Sequence, residues 1–173
     1  MIKKFLFYIC FKYFRFKFLS LIGNSNKKIY IFDLDNTIAN TWVSYHQSYG
    51  SNKSRLKNLS VFIGMKNLIS SIDKTKYIVI VLTAREYWYY RITKKWLKQN
   101  ELDVDGLILV SKPSEKVLLL SHVAAECEYY DDMSYNHENY DIKYYRDEIS
   151  DIKKLPNVLY HNYDEIKKIN KIE

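Results

Sequence analysis

The chain has 173 residues, 47% of them hydrophobic and 27% charged, with only 4 Gly and 2 Pro; that is enough for one packed core and too little for two. The formal net charge of +7 lies wholly in residues 1–28, where Lys3, Lys4, Lys12, Arg15, Lys17, Lys27 and Lys28 have no acid among them, so the rest is neutral and lacks the excess expected of a duplex-wrapping protein. An aromatic content of 16% disfavours disorder, and Cys10 and Cys127 are too few for a secreted disulfide scaffold, which leaves a reducing, cytoplasmic compartment as the default.

Residues 1–27 form a basic, aromatic arm that holds six of the eight Phe. Lys12, Arg15 and Lys17 interrupt its apolar run and make spanning a membrane costly, and no clean signal-peptide core with a small-residue cleavage site precedes Gly23. Periodicity leaves helix and strand both open. Aromatic bulk interleaved with cations is the composition of a segment lying on an anionic membrane surface, which would make the protein membrane-peripheral; a packing arm for a partner chain is the competing reading.

From residue 28 to 173 short β-branched runs alternate with longer mixed segments, the pattern of an α/β domain with a Rossmann-like parallel sheet and helices on both faces. Five strands are predicted near Ile29 to Asp33, Tyr77 to Thr83, Gly106 to Val110, Cys127 to Asp131 and Asn157 to His161. Helical spacing covers Val61 to Ile72 and Glu86 to Asn100. Pro113 suits the first turn of a helix carrying Val117, Leu118, Leu120 and Val123. Two further helices are expected over Tyr144 to Lys154 and Tyr163 to Ile172.

The chemistry is concentrated at the strand ends. IYIFDLDNTIAN ends a strand at Asp33 and continues with Asp35 and Thr37; YIVIVLTAR ends at Thr83 and Arg85; ECEYYDDM ends at Asp131 and Asp132. In an open parallel sheet ligands collect beyond the carboxyl ends of the strands. Clustered acids repel one another unless a divalent cation neutralises them, and an all-oxygen ligand set points to Mg²⁺. Taken singly, each Asp could merely cap a turn.

At these residues the sequence resembles the haloacid dehalogenase-like phosphohydrolases, whose ordered motifs are DxDxT, a Ser or Thr ending the second strand, a Lys, and an acidic pair. Asp33-Leu-Asp35-Asn-Thr37, Thr83, Lys112 or Lys116, and Asp131-Asp132 occur in that order, over about residues 28 to 132. The resemblance implies a Mg²⁺-dependent phosphatase acting on a phosphomonoester. Asp33 is then the nucleophile that forms an aspartyl phosphate, Asp35 the general acid and base, and Thr37 the holder of the following loop at the substrate side. Thr83 and the Lys bind phosphoryl oxygens, and the metal takes Asp33, the Asp35 carbonyl, Asp131 and Asp132. Lys112, in a Lys-Pro pair, and Lys116, in the first helical turn, both satisfy the Lys position.

Asn40 to Ser60 and Val110 to Lys112 are too short to hold a cap domain, so a capless site is expected, open to large substrates or to a partner chain. Trp42, Tyr45, His46 and Tyr49 lie in the first stretch, as substrate contacts or as its small local core. TAREYWYYRITKKWLKQN has a further similarity to the 3'-phosphatase domain of polynucleotide kinases and to lipin-type lipid phosphatases, which places Arg85, with Arg91, on an anionic substrate. Asn136, His137, Glu138 and Asn139 follow the acidic pair, as supports for it or as a polar connecting loop. Three specific alternatives therefore stand beside a phosphatase of unassigned substrate: a polynucleotide 3'-end phosphatase acting on a nucleic acid end, a membrane-peripheral phosphatase of lipid-linked or surface-polysaccharide precursors, and a catalytically silent binding module.

Overall fold

A computed structural model describes residues 2–23 and 27–171, without the side chains of Ile2 and Glu138. Residues 24–26 of the arm and the predicted helix end at Ile172 lie outside the described residues. The elements run α1 (Ile2–Ile22), β1 (Ile29–Phe32), α2 (Thr41–Tyr45), α3 (Asn52–Lys57), α4 (Ile63–Ser71) and β2 (Ile78–Thr83). After a 3-10 turn at Tyr87–Tyr89 come α5 (Tyr90–Gln99), β3 (Gly106–Leu109), α6 (Pro113–Leu120), β4 (Cys127–Tyr130) and β5 (Ser134–Tyr135). A second 3-10 turn at His137–Asn139 leads into β6 (Lys143–Tyr144), α7 (Arg146–Lys153), β7 (Val158–His161) and α8 (Tyr163–Asn170).

The five predicted strands form one parallel sheet of order β3-β2-β1-β4-β7, flanked by helices in a Rossmann-like arrangement. The central strands read as continuous apolar runs because both faces are covered; all six residues of β2 are buried. Successive connections move outward from β1 through β2 to β3, then return across β1 to β4 and continue to β7. Right-handed crossovers therefore put α4 and α5 on one face and α6 and α7 on the other. The reversal falls between β1 and β4, where the connections leave toward opposite faces of the sheet and open a crevice beyond the paired strand ends.

Three features escape the sequence pattern. Residues 40 to 60 contain α2 and α3, two short helices without a core of their own. Ser134–Tyr135 and Lys143–Tyr144 pair as a small antiparallel ribbon beyond β4, with Asn136 and Tyr140 in left-handed conformations at φ 67° and 55°. In α6 the buried residues are Lys116, Leu119 and Leu120, whereas Leu118 is exposed and Val123 lies past the helix end. The expected apolar face of that helix is thus rotated by about one residue, because α6 turns a charged side chain into the crevice.

The arm is a helix through Ile22. Phe14, Phe18 and Ile22 are buried, and Phe14 stacks on Tyr87 with ring centroids 5.6 Å apart. The helix covers β3, the strand at one sheet edge, and the Lys17 ammonium donates 3.1 Å to the Leu107 carbonyl there. An edge strand left bare is a template for pairing with other chains, so this cover matters to solubility as well as to packing. No helix among the described residues is long and apolar enough to cross a membrane.

Two close contacts fix the periphery. A Cβ on Gly64 of α4 would stand 1.9 Å from the Ile169 carbonyl oxygen of α8, so only glycine permits this approach. Asn170 then reaches from α8 to accept from the Met65 amide at 2.9 Å and to donate to the Thr37 carbonyl at 3.3 Å. On β4, Glu128 accepts from Lys28 at 2.7 Å and from His161. Burial works against the ionised Glu128, yet the bonds from Lys28 and His161 outweigh it and hold the carboxyl below its ordinary range.

Gly64→Ala should force α4 from α8 and cost about 1–3 kcal/mol, lowering the melting temperature by several degrees, with an unchanged melt as the contrary result. Because the Glu128 pKa is depressed on folding, its stabilisation is present above the unfolded value near ~4.3 and lost as pH falls through the folded value. Denaturant titrations should accordingly show Glu128→Gln deficient at neutral pH, with the deficit shrinking in acid below about pH 4; a deficit independent of pH would contradict the assignment.

Candidate active site

The crevice between β1 and β4 opens into a cavity of about 460 Å³. β1 delivers Asp33 to it, β2 delivers Thr83, and β4 delivers Asp131 and Asp132, each just at or beyond the carboxyl end of its strand. Asp33, Asp131 and Asp132 are all buried, and each offers a carboxylate oxygen within 4.8 Å of the others. From α6 the buried Lys116 ammonium donates to Asp33 Oδ1 and to Asp131 Oδ2, both at 2.6 Å. Side chains distant in sequence are thus brought to one point by strand register, in which Phe32 pairs with Val81 on one side and Tyr130 on the other.

The charge balance of this cluster is incomplete. Three carboxyl groups face one ammonium, and burial, only partly offset by Lys116, pushes Asp33 well above the usual carboxylate range, with Asp131 and Asp132 adding to the rise. Asp132 is raised chiefly by burial, against the opposing pull of His137. For Lys116 burial acts to lower the pKa, but Asp131 and Asp33 overcome it and hold the ammonium charged. The remaining negative charge and the all-oxygen donor set fit a hard divalent cation.

Surrounding groups lock the carboxylates. Tyr129 donates its hydroxyl to Asp131 Oδ2, the Met133 amide donates to Asp131 Oδ1 at 2.8 Å, and Ser134 donates to Asp132. His137 Nε2 lies 2.6 Å from Ser134 Oγ and 3.5 Å from Asp132 Oδ2. Met133 adopts φ 43° while 2% exposed, an uncommon conformation for a long side chain that turns the chain sharply away from the acidic pair. Thr83 Oγ1 is buried without a hydrogen-bond partner at the cavity wall. Such an unpaired donor costs free energy unless a ligand oxygen completes it.

Asp35 sits in a different electrostatic setting. Arg85 approaches it as a fork, Nε to Oδ2 at 2.7 Å and Nη2 to Oδ1 at 2.6 Å, while Thr41 Oγ1 donates to Oδ1 at 2.6 Å. Burial opposes ionisation of Asp35, but Arg85 and Thr41 prevail and lower its pKa. Asn36, directly after Asp35, has φ 59°, a left-handed turn that Asn tolerates, and its side chain accepts from the Trp42 amide to start α2.

The predicted site residues therefore separate by position. Asp33, Asp35, Thr83, Lys112, Lys116, Asp131 and Asp132 all border the cavity. Lys116 bridges the carboxylates, whereas Lys112 is the residue preceding α6 and lies at the cavity wall without such a bridge. Thr37 is fully buried behind the cavity, where its hydroxyl accepts from the Asp132 amide at 3.3 Å. Arg85 is 6% exposed and committed to Asp35 and Thr93, so the structure places it behind Asp35, away from the cavity lining. Arg91 is exposed on α5, beside a different cavity.

Trp42 and His46 pack against the ribbon through His137 and Tyr140, with His46 stacked on Tyr140 at 4.9 Å, and Tyr45 borders the cavity. The short helices and the ribbon thus meet above the site. Asn136 and Asn139 bond within their own turn, at 2.6 Å. Thr41, Tyr129 and Ser134 are additional site residues without a sequence signal of their own, since a hydroxyl one turn away from a motif is common in any chain.

No protein-family model matches the chain, and no curated protein matches it by sequence. Two solved structures of Pnkp1/Rnl/Hen1 complexes, one described as an RNA repair complex, contain a chain of similar fold. One aligns with TM-score 0.55 and 22% identity over 79% of this chain and 43% of its own. The other aligns with TM-score 0.55 and 19% identity over 81% of this chain and 47% of its own. The chain thus spans less than half the length of each solved chain that it matches, and at these identities the similarity establishes the fold.

Lys116→Gln should destabilise the fold by about 3–5 kcal/mol, because it leaves buried carboxylates uncompensated. Millimolar divalent cation should restore part of the loss in a thermal melt by supplying the missing positive charge; equal deficits with and without the cation would show that these carboxylates hold none.

Proposed function

We propose that residues 28–173 form a haloacid dehalogenase-like phosphohydrolase that uses Mg²⁺ to hydrolyse a phosphomonoester. The observation that carries this reading is the convergence of Asp33, Asp131, Asp132, Lys116 and the unpaired Thr83 hydroxyl on one cavity. Asp33, Asp131 and Asp132, with the Asp35 carbonyl, are the groups that would hold Mg²⁺, which when bound neutralises the carboxylates and the phosphoryl oxygens.

In the first displacement an Asp33 carboxylate oxygen attacks phosphorus, the ester P–O bond breaks, and Asp35 gives a proton to the departing oxygen. In the second, water attacks the aspartyl phosphate, its proton goes to Asp35, and the P–O bond to Asp33 breaks. Lys116 and Thr83 donate to the phosphoryl oxygens and offset charge in both transition states. Arg85 favours the ionised form of Asp35 in the resting protein, the form that accepts the proton in the second step. The proton that Asp35 gives up in the first is taken from solvent as the anionic ester binds beside it and raises its proton affinity. Lys112 is assigned to the part of the substrate just outside the reacting group.

A polynucleotide end is the substrate class that the similarity to the RNA repair complex chains favours. The neutral charge of residues 29–173 is compatible with it, since holding one terminus needs few phosphate contacts. Phosphate release should be compared for a 3'-phosphorylated oligonucleotide, a sugar phosphate and phosphatidate, each with Mg²⁺. Asp33→Asn should lower the preferred rate by roughly a thousandfold or more, and Arg85→Lys by roughly a hundredfold through misplacement of Asp35. A chain that binds such ligands but turns over none of them, with or without Asp33→Asn, would instead be a silent binding module.

A further inference from the structure

α1 carries apolar rows on two opposite sides, although the domain uses only one of them. Phe7, Phe11, Phe14, Phe18 and Ile22 follow one another at helical spacing on the side that meets the domain. On the opposite side Phe5, Ile9, Tyr13 and Phe16 recur at spacings of three and four, with Leu6 beside them, and all five are exposed; Phe16 is 74% accessible and Phe5 61%. An apolar row on a helix belongs against an apolar surrounding. The domain covers one of the two rows, and the described residues leave the other uncovered.

The cations show what completes it. Lys12 is exposed at the margin of the outward stripe, Lys3 and Lys4 are exposed at the first turn on the flanks of the domain side, and residues 1–28 contain no acid. Lys12 lies 4.7 Å from the Tyr8 ring centroid, so an ammonium and an aromatic face share that border, while Lys3 lies 5.3 Å from the ring centroid of Trp88. Arg15 and Lys17, by contrast, are turned inward to His122 and to the Leu107 carbonyl. These contacts tie the middle of the helix to the domain and keep it from threading a bilayer.

We propose that the outward face of α1 docks the domain on an anionic lipid membrane. The helix axis lies parallel to the surface, the Phe5, Leu6, Ile9, Tyr13 and Phe16 side chains enter the boundary between headgroups and acyl chains, and Lys3, Lys4 and Lys12 meet the anionic headgroups. A second copy of the chain fits less well, because pairing α1 with itself sets cation against cation with no acid to offset them. A nucleic acid would meet an apolar stripe where its phosphates require charge. The inference stands apart from the catalytic reading, since it uses no residue of the cavity.

Flotation of the full chain with vesicles separates the outcomes. The chain should float with vesicles of phosphatidylcholine and phosphatidylserine and stay below with phosphatidylcholine alone. A Lys4→Gln, Lys12→Gln pair should weaken partition by about 30-fold at low salt. Replacing Phe5, Ile9 and Phe16 with Ser should abolish flotation while leaving the melting temperature and any phosphatase activity in place, because these side chains touch nothing in the core. Failure of the full chain to float with anionic vesicles, equal flotation with neutral ones, or flotation unchanged by the triple Ser variant would each overturn the proposal. A dimer in gel filtration that the triple variant dissolves, without flotation, would assign the face to a second copy instead.

Discussion

The contact between Lys116 and the carboxylates of Asp33 and Asp131 is the constraint around which the rest of the structure is arranged. Three buried acids at one point repel strongly, and a sheet would not hold its strand ends together there without compensation. α6 supplies the ammonium by turning Lys116 inward, and Tyr129, Ser134 and the Met133 amide occupy further carboxylate oxygens. Compensation is still short of balance, and the three acids form a group that could hold a metal ion.

The position of that cluster follows from topology. Chain reversal between β1 and β4 leaves the crevice, parallel register brings the two strand ends level, and right-handed connections keep helices off the opening. The covering elements are small: α2 and α3 from one side and the β5–β6 ribbon from the other, meeting through Trp42, His46, His137 and Tyr140. Their mutual packing shapes the rim without adding a domain. Asn170 links this rim to the far side of the fold, because it reaches from α8 to the Thr37 loop where Gly64 lets the helices touch.

Arg85 illustrates how position changes the meaning of a residue. As a cation following Thr83 it invites assignment to an anionic substrate, yet it is buried behind Asp35 and binds it through two nitrogens. It therefore bears on the site through the orientation and ionisation of that carboxylate. α1 offers a parallel case: Arg15 and Lys17 are fixed to the domain, whereas Lys12 borders an exposed apolar stripe.

Much of the architecture is legible in the sequence because it depends on local pattern. The apolar runs of a doubly covered sheet predict all five strands to within a residue or so, and the acids that end β1 and β4 stand out because a buried strand rarely terminates in charge. Pro113 marks the start of α6 for an equally local reason. Other features depend on approach between segments far apart in the chain. Choosing between Lys112 and Lys116 for the carboxylate bridge needs the rotation of α6 about its axis. The pairing of Arg85 with Asp35 and of Tyr129 with Asp131 needs strand register and side-chain direction. Whether the aromatic arm is helix or strand stays undecided by its own periodicity, since Phe repeats on every face; contact with β3 and the Tyr87–Tyr90 turn selects one side of it. Sequence alone determined which groups are candidates for a site, because residue type and order are local facts, while the tertiary structure decided which of those groups meet, because only packing sets distances across the fold.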